Sequence, residues 1–250
     1  MTAKIKPHQS FILPLKAVGF IFKNRSVWHY AIVPMIINVV TFLVLGIWSG
    51  IFLFNKLEGW FITGDAWYIA ALVIFLKIIA VIVLTVAIIF LITMMANIFS
   101  APFNEMLSRK TEELILGPQA KEKITVKLLA GDIKRTIIEE TIKFFLFGLA
   151  QVIIFLLNFI PQPIGLFLYI IAASVLNFYL FCFQYMDYSM ARRHISFKKR
   201  WQIIFSQKLS SFTFGGAVGI GMFIPLVNMV YIPVCVVAGT MLYLKHESPQ

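Results

Sequence analysis

Residues 144–185 read FFLFGLAQVIIFLLNFIPQPIGLFLYIIAASVLNFYLFCFQY, apolar throughout except at Pro161, Gln162 and Pro163. The run is too long for a single crossing, because about 20 helical residues rising 1.5 Å each already cover roughly 30 Å of hydrocarbon. A turn belongs at the two prolines. The stretch therefore folds back on itself as a helical hairpin, and the rest of the chain is placed by asking which side of a bilayer each flank occupies.

Composition supports the bilayer. Of 250 residues 60% are hydrophobic and 13% charged, against roughly 45–50% and 25% in a soluble domain. Several apolar runs reach about 20 residues, so the spans are helical and not barrel strands. Cys182 and Cys235 lie inside such runs, without framework spacing or a nearby histidine, and are expected to pack as buried thiols. The net charge of +11 is distributed as a topological signal, which argues against a nucleic-acid partner.

Residues 10–23, SFILPLKAVGFIFK, are too short to span and carry Lys16 and Lys23 among large apolar side chains, as an interfacial amphipathic helix does. The first long run begins only near Tyr30, after a basic stretch, and is expected to be a retained anchor. It is a full span over 30–54, with Pro34 and Asn38 near its start. A second runs over 66–99, and its roughly 51 Å of helix would leave Lys77 near a boundary where it can snorkel. Residues 104–143 hold eight Lys or Arg and seven Asp or Glu and are expected to form helices projecting from the membrane. A second hairpin is expected over 212–244, broken around Pro225.

Charge counting sets the topology. The first 29 residues hold five Lys or Arg, the 55–65 loop one, 104–143 eight and 187–210 six, which puts three of these regions and both termini on the cytoplasmic side. The segments 144–185 and 212–244 must then enter and return on one side. In the second, Phe212 to Ile224 makes only about 20 Å of helix, the length of a re-entrant element. FIPQPIG at 159 and FIPLVNM at 223 suggest that the two hairpins share a tip. The fold class expected is an all-α integral membrane domain over 1–250, with two long spanning helices, two half-penetrating hairpins and cytoplasmic helical extensions. Irregular backbone at membrane depth is tolerated only inside protein or beside water, so the tips imply either a wet cavity that Asn228 would face or ordinary loops at the outer surface reached by tilted helices.

No nucleophile with a base, phosphate-cradling loop or metal-ligand spacing is visible, and His8, His29, His194 and His246 are scattered. An enzyme, a cofactor and a metal are not expected. The polar groups at the edges of apolar segments are Asn38, Asn104, Glu105, Arg109, Arg135, Asp187, His194 and Asn228, and ionisable groups so placed point to a pathway. Glu105 and Arg109, four apart, share a helix face. Pro102 is expected to stop or kink the preceding helix, with Ser100 capping a new one. That would aim Asn104, Glu105 and Arg109 into the space between the hairpins.

Three motifs in this order, NIFSAPFNEML after the second span, FQYMDYSMARRHISFKKR after the first hairpin and FIPLVNMVYIPVCVVAGTMLY near the end, resemble the CysZ sulfate permease family, relatives of the etoposide-induced 2.4 membrane proteins. The likeness runs from about residue 10 to 246. It implies a bacterial inner-membrane protein of the same hairpin architecture, a dimer or larger homo-oligomer, that admits sulfate passively for cysteine biosynthesis without nucleotide or metal. It also implies a pathway over Asn38, Glu105, Arg109, Arg135, His194 and Asn228. The family's pair of anion-binding arginines before the first span is here Trp28 and His29. Arg25 and Ser26, with the free N–H groups of the helix start and His29, are the remaining groups for an anion there, and a neutral imidazole lacks the bidentate grip of a guanidinium. Two other readings stay open: a channel of this fold for another small anion, and a membrane structural protein whose basic 187–208 segment holds anionic lipid.

Overall fold

The computed structural model describes residues 5–57, 67–117, 126–223 and 227–247, apart from the side chains of 53–54, 56–57, 67, 126–136 and 227–230. Every regular element among them is helical: α1 Pro7–Phe11, α2 Leu13–Lys23, α3 Trp28–Leu57, α4 Trp67–Leu116, α5 Val126–Phe155, α6 Ile164–Arg192, α7 Phe197–Ser206, α8 Lys208–Met222 and α9 Val227–Glu247, with short 3₁₀ turns at Arg25–Val27 and Leu156–Phe159. Four stretches are long and apolar enough to cross a bilayer: Arg25–Phe52, Tyr68–Leu116, Ile137–Phe159 and Ile164–Arg192.

The turn expected at 161–163 is present, and the arms it joins are antiparallel. Phe155 meets Tyr169, Gln151 Nε2 donates to Asn177 Oδ1 at 2.6 Å, and Lys143 reaches Asp187 at 2.8 Å, so each step down α5 is matched by a step up α6. Both arms contain a stretch long enough to cross in full. In the second hairpin α8 has 15 residues, about 22 Å, and the tip at 224–226, with the proposed repeat of the first tip, lies outside the described residues.

One local expectation is overturned. Pro102 does not stop α4, and no new helix starts at Ser100; α4 runs through it as one helix of 50 residues from Trp67 to Leu116. A proline removes one backbone bond, here to the carbonyl of residue 98, and packing on both sides of the defect can hold such a helix together. Freed from capping, the Ser100 hydroxyl donates to Asn38 Oδ1 of α3 at 2.6 Å.

The core gathers around α6. Phe183, Met186 and Met190 of α6, Phe214 of α8, Tyr243 of α9, Leu107 of α4 and Leu13 of α2 are almost wholly buried. Two glycines permit the close approach: a Cβ on Gly215 of α8 would stand 1.7 Å from the Phe178 carbonyl oxygen, and one on Gly239 of α9 would stand 2.4 Å from that of Tyr185. Small residues let helix backbones touch where side chains cannot. The expected 10–23 helix is two pieces, α1 and α2. Bonds from Ser10 to Ser210, from Thr213 Oγ1 to the Pro7 carbonyl (3.0 Å) and from the Ile5 N–H to Gln207 Oε1 (3.0 Å) fasten the N-terminus to α8 and the turn before it.

Candidate functional site

The C-terminal part of α4 repeats a short polar residue every fourth position: Ser100, Asn104, Ser108 and Glu112, each at most 5% exposed. Residues four apart share a helix face, so the four form a spine about 18 Å long. Each is held from a neighbouring helix. Ser100 bonds Asn38 of α3, and Asn104 Nδ2 donates to Tyr188 Oη of α6 at 3.3 Å. Ser108 Oγ lies 2.9 Å from Ser189 Oγ, accepts from Thr240 Oγ1 of α9 at 2.8 Å, and receives Arg192 at 3.2 Å. Glu112 takes Arg192 at 2.7 Å and Arg193 at 2.5 Å.

From Tyr188 the polar track continues into α5. Gln184 Nε2 donates to both Tyr188 Oη and Glu140 Oε2 at 3.2 Å. Glu140 Oε1 is 2.5 Å from Lys143 Nζ, which also holds Asp187 Oδ2 at 2.8 Å. The other Asp187 oxygen takes Arg200 at 2.9 Å, and Arg200 reaches Glu139 at 2.8 Å. Burial opposes the charge of Arg200, but Asp187 and Glu139 outweigh it and hold the guanidinium above the ordinary arginine range. Two cations against three carboxylates leave a net −1 if all are ionised. The cluster ends at a cavity of about 470 Å³ lined by Glu139, Lys143, His194 and Arg200 together with apolar side chains.

Two buried atoms on the track have no hydrogen-bond partner among the described residues: Asn38 Nδ2, a donor, and Asn104 Oδ1, an acceptor. They belong to the groups on either side of the single helical turn that separates Ser100 from Asn104. A buried polar atom left unsatisfied costs about 1–3 kcal/mol, so these two amides carry a penalty that a partner would relieve.

Of the residues singled out in the sequence, Asn38, Asn104 and Asp187 lie on the track. Glu105 is buried beside it, whereas Arg109 is exposed, and Arg192 lies within electrostatic range of both. His194 lies exposed at the rim of the cavity. It closes α6 at φ 52°, its N–H bonding the Ala191 carbonyl and that of Ile195 the Met190 carbonyl, an arrangement that ordinarily uses glycine. Arg25, Ser26 and His29 are exposed at the start of α3. Trp28 is a latch: its Nε1 donates to the Ile21 carbonyl at 2.9 Å, and its ring meets Phe22 edge-on. The side chains of Arg135 and Asn228 lie outside the described residues. Cys182 and Cys235 are buried free thiols, as expected. Sequence reasoning missed Ser108, Glu112, Glu140, Lys143, Gln184, Tyr188, Arg192 and Arg200, although the four-residue repeat of the spine is visible in SAPFNEMLSRKTE.

Four helices fit to cross a bilayer, with a buried polar track linking α3, α4, α5 and α6, define a polytopic membrane protein. The family model described as "Sulfate transporter CysZ/Etoposide-induced protein 2.4" matches residues 13–233, and the chain belongs to that family. It is 27% identical over 222 residues to a protein of Pseudomonas syringae pv. tomato named "Sulfate transporter CysZ", covering 88% of this chain and 85% of the relative. It is 29% identical over 237 residues to one of the same name from Vibrio atlanticus, covering 91% and 89%.

Proposed function

We propose that the chain is a passive conduit for sulfate, or a closely related oxyanion, in the bacterial inner membrane, and that it feeds cysteine biosynthesis. The observation that carries this is the buried track with its two amide atoms that have no partner among the described residues. Sulfate offers only acceptors, so it needs donors such as Asn38 Nδ2 and the serine hydroxyls. Asn104 Oδ1 needs a donor, which hydration supplies. An anion moving with part of its water can satisfy both. The names of the relatives support sulfate as the solute.

In this proposal Asn38, Asn104, Glu105, Arg109, Arg135, His194 and Asn228 line the path, and Arg25, Ser26 and His29 offer an anion site at its mouth. Both termini and the basic segments face the cytoplasm. The protein acts as a dimer or larger homo-oligomer. Of the two hairpins only α8–α9 must be shallow, because α8 is too short to cross. The arms of α5–α6 return to the same side whether they cross in full or stop midway.

The test is uptake of radiolabelled sulfate into proteoliposomes, beside empty liposomes. Saturable uptake should fall about tenfold or more in Asn38→Ala and Arg109→Ala, where 1.4 kcal/mol is a factor of ten. His194→Gly separates role from scaffold, since glycine keeps the left-handed turn while removing the imidazole. It should retain the fold and lose flux. Uptake at the level of empty liposomes by folded, inserted protein would sink the proposal.

A further inference from the structure

A second cleft, of about 400 Å³, lies between α2, the C-terminal end of α4 and α9. Its walls are apolar, among them Leu13, Phe20, Leu116, Met241 and Leu244, and its charged groups are Lys16, Lys23 and Lys245. Among the described residues no carboxylate lines it and none of these lysines is ion-paired. Lys16, Gly19, Phe20 and Lys23 follow the spacing of one helix face, so α2 offers two ammonium groups with a gap between them. Burial, and then the charge of Lys16, holds Lys245 below the ordinary lysine range. The cations thus repel one another where no described carboxylate neutralises them.

The position of α2 identifies the missing anion. Leu15 and Phe22, also seven apart, are 71% and 69% exposed, the pattern of a helix that beds one apolar side in lipid at the level of the headgroups. A free ion would find no use for the apolar walls, whereas an amphiphile would use both parts of the cleft. We propose that this cleft binds an anionic phospholipid, its phosphate held by Lys16, Lys23 and Lys245 and an acyl chain lying along the apolar walls. The site shares no residue with the polar track, and its test reads binding and not transport.

Gly19 supplies a clean probe, because a Cβ there meets nothing within 4 Å. Gly19→Leu fills the cleft without disturbing a packed contact. The experiment is native mass spectrometry of the full chain with phosphatidylglycerol and phosphatidylcholine of matched acyl chains. Phosphatidylglycerol should be retained at least about tenfold better, given three lysines on its headgroup. The variant carrying Lys16→Gln, Lys23→Gln and Lys245→Gln should abolish that preference. Gly19→Leu should release phosphatidylglycerol, and Lys198→Gln with Lys199→Gln, two exposed lysines elsewhere, should change nothing. Equal retention of the two lipids, or undiminished phosphatidylglycerol on Gly19→Leu, would overturn the proposal. Displacement of the lipid by millimolar inorganic phosphate would do so too, by making the cleft a free-anion site.

Discussion

α4 is one continuous helix with two opposite characters. Over its membrane-apolar first part no residue of the most hydrophobic window is buried, and Ile74, Val83 and Val86 are 57–61% exposed. From Ser100 onward the buried residues include Ser100, Asn104, Glu105, Ser108 and Glu112. In a soluble protein that distribution would be inverted. In lipid it is the stable one, because hydrocarbon already solvates isoleucine and valine, whereas a hydroxyl or carboxylate needs a protein partner. Over the first part of α4 hydrophobicity therefore goes mostly with exposure, whereas from Ser100 onward polar side chains are buried beside apolar ones such as Leu107.

The sharpest way to break this contrast is to remove a cation from the polar half. Lys143 is 3% exposed and holds both Glu140 and Asp187. Lys143→Ala would leave those carboxylates buried against a reduced positive charge, at a cost of about 3–5 kcal/mol. The check is unfolding of purified protein in detergent, where a loss below about 1 kcal/mol would mean that water reaches the cluster freely. The converse change adds a charge to the apolar half. Val86→Arg should cost about 2.5–3.5 kcal/mol of insertion free energy if that side chain lies near mid-bilayer, measured by the inserted fraction in a translocon assay. Insertion equal to the parent would show that this face is covered by protein.

Glycines sharpen the comparison at smaller scale. Gly215→Ala must push α8 off the Phe178 carbonyl and should cost about 1–3 kcal/mol. Gly148→Ala on α5, where a Cβ meets nothing within 4 Å, should be neutral or stabilise by up to about 1 kcal/mol. Melting temperatures of the two variants moving by the same amount would contradict the packing described for α6.

How far the sequence foretold this arrangement follows from the range over which each signal acts. The turn at Pro161–Pro163 was legible because a proline's constraint is local, and the lengths of α3 and of the apolar part of α4 followed from runs of apolar residues. Pro102 read as a helix stop misled because that local rule lost to packing along α4. The charge cluster around Lys143 was not legible: Asp187 lies 44 positions away, Arg200, which shares Asp187, lies further still, and EETIK reads equally well as a solvated face. Asn38 and Asn104 stood out as polar residues in apolar surroundings, but that one atom of each lacks a partner belongs to three-dimensional packing alone.

The smallest effect tests whether burial without a partner behaves near the C-terminus as it does on the track. His246 is 4% exposed, its Nε2 meets no hydrogen-bond partner among the described residues, and burial pushes its imidazole down to about 4. The folded protein keeps it neutral while the unfolded chain takes up a proton near pH 6.5. Above pH 6.5 both states are neutral and the residue contributes no pH dependence. As the pH falls from 6.5 toward 4 the unfolded state binds the extra proton, so stability declines across that window, by about 1 kcal/mol at pH 5.5. Carboxylates titrate in the same acid range, so the informative quantity is the difference between the parent and His246→Phe. That difference should change between pH 7.5 and 5.5, with the variant losing less stability on acidification. Parallel pH profiles would mean that His246 is reached by water and titrates alike in both states.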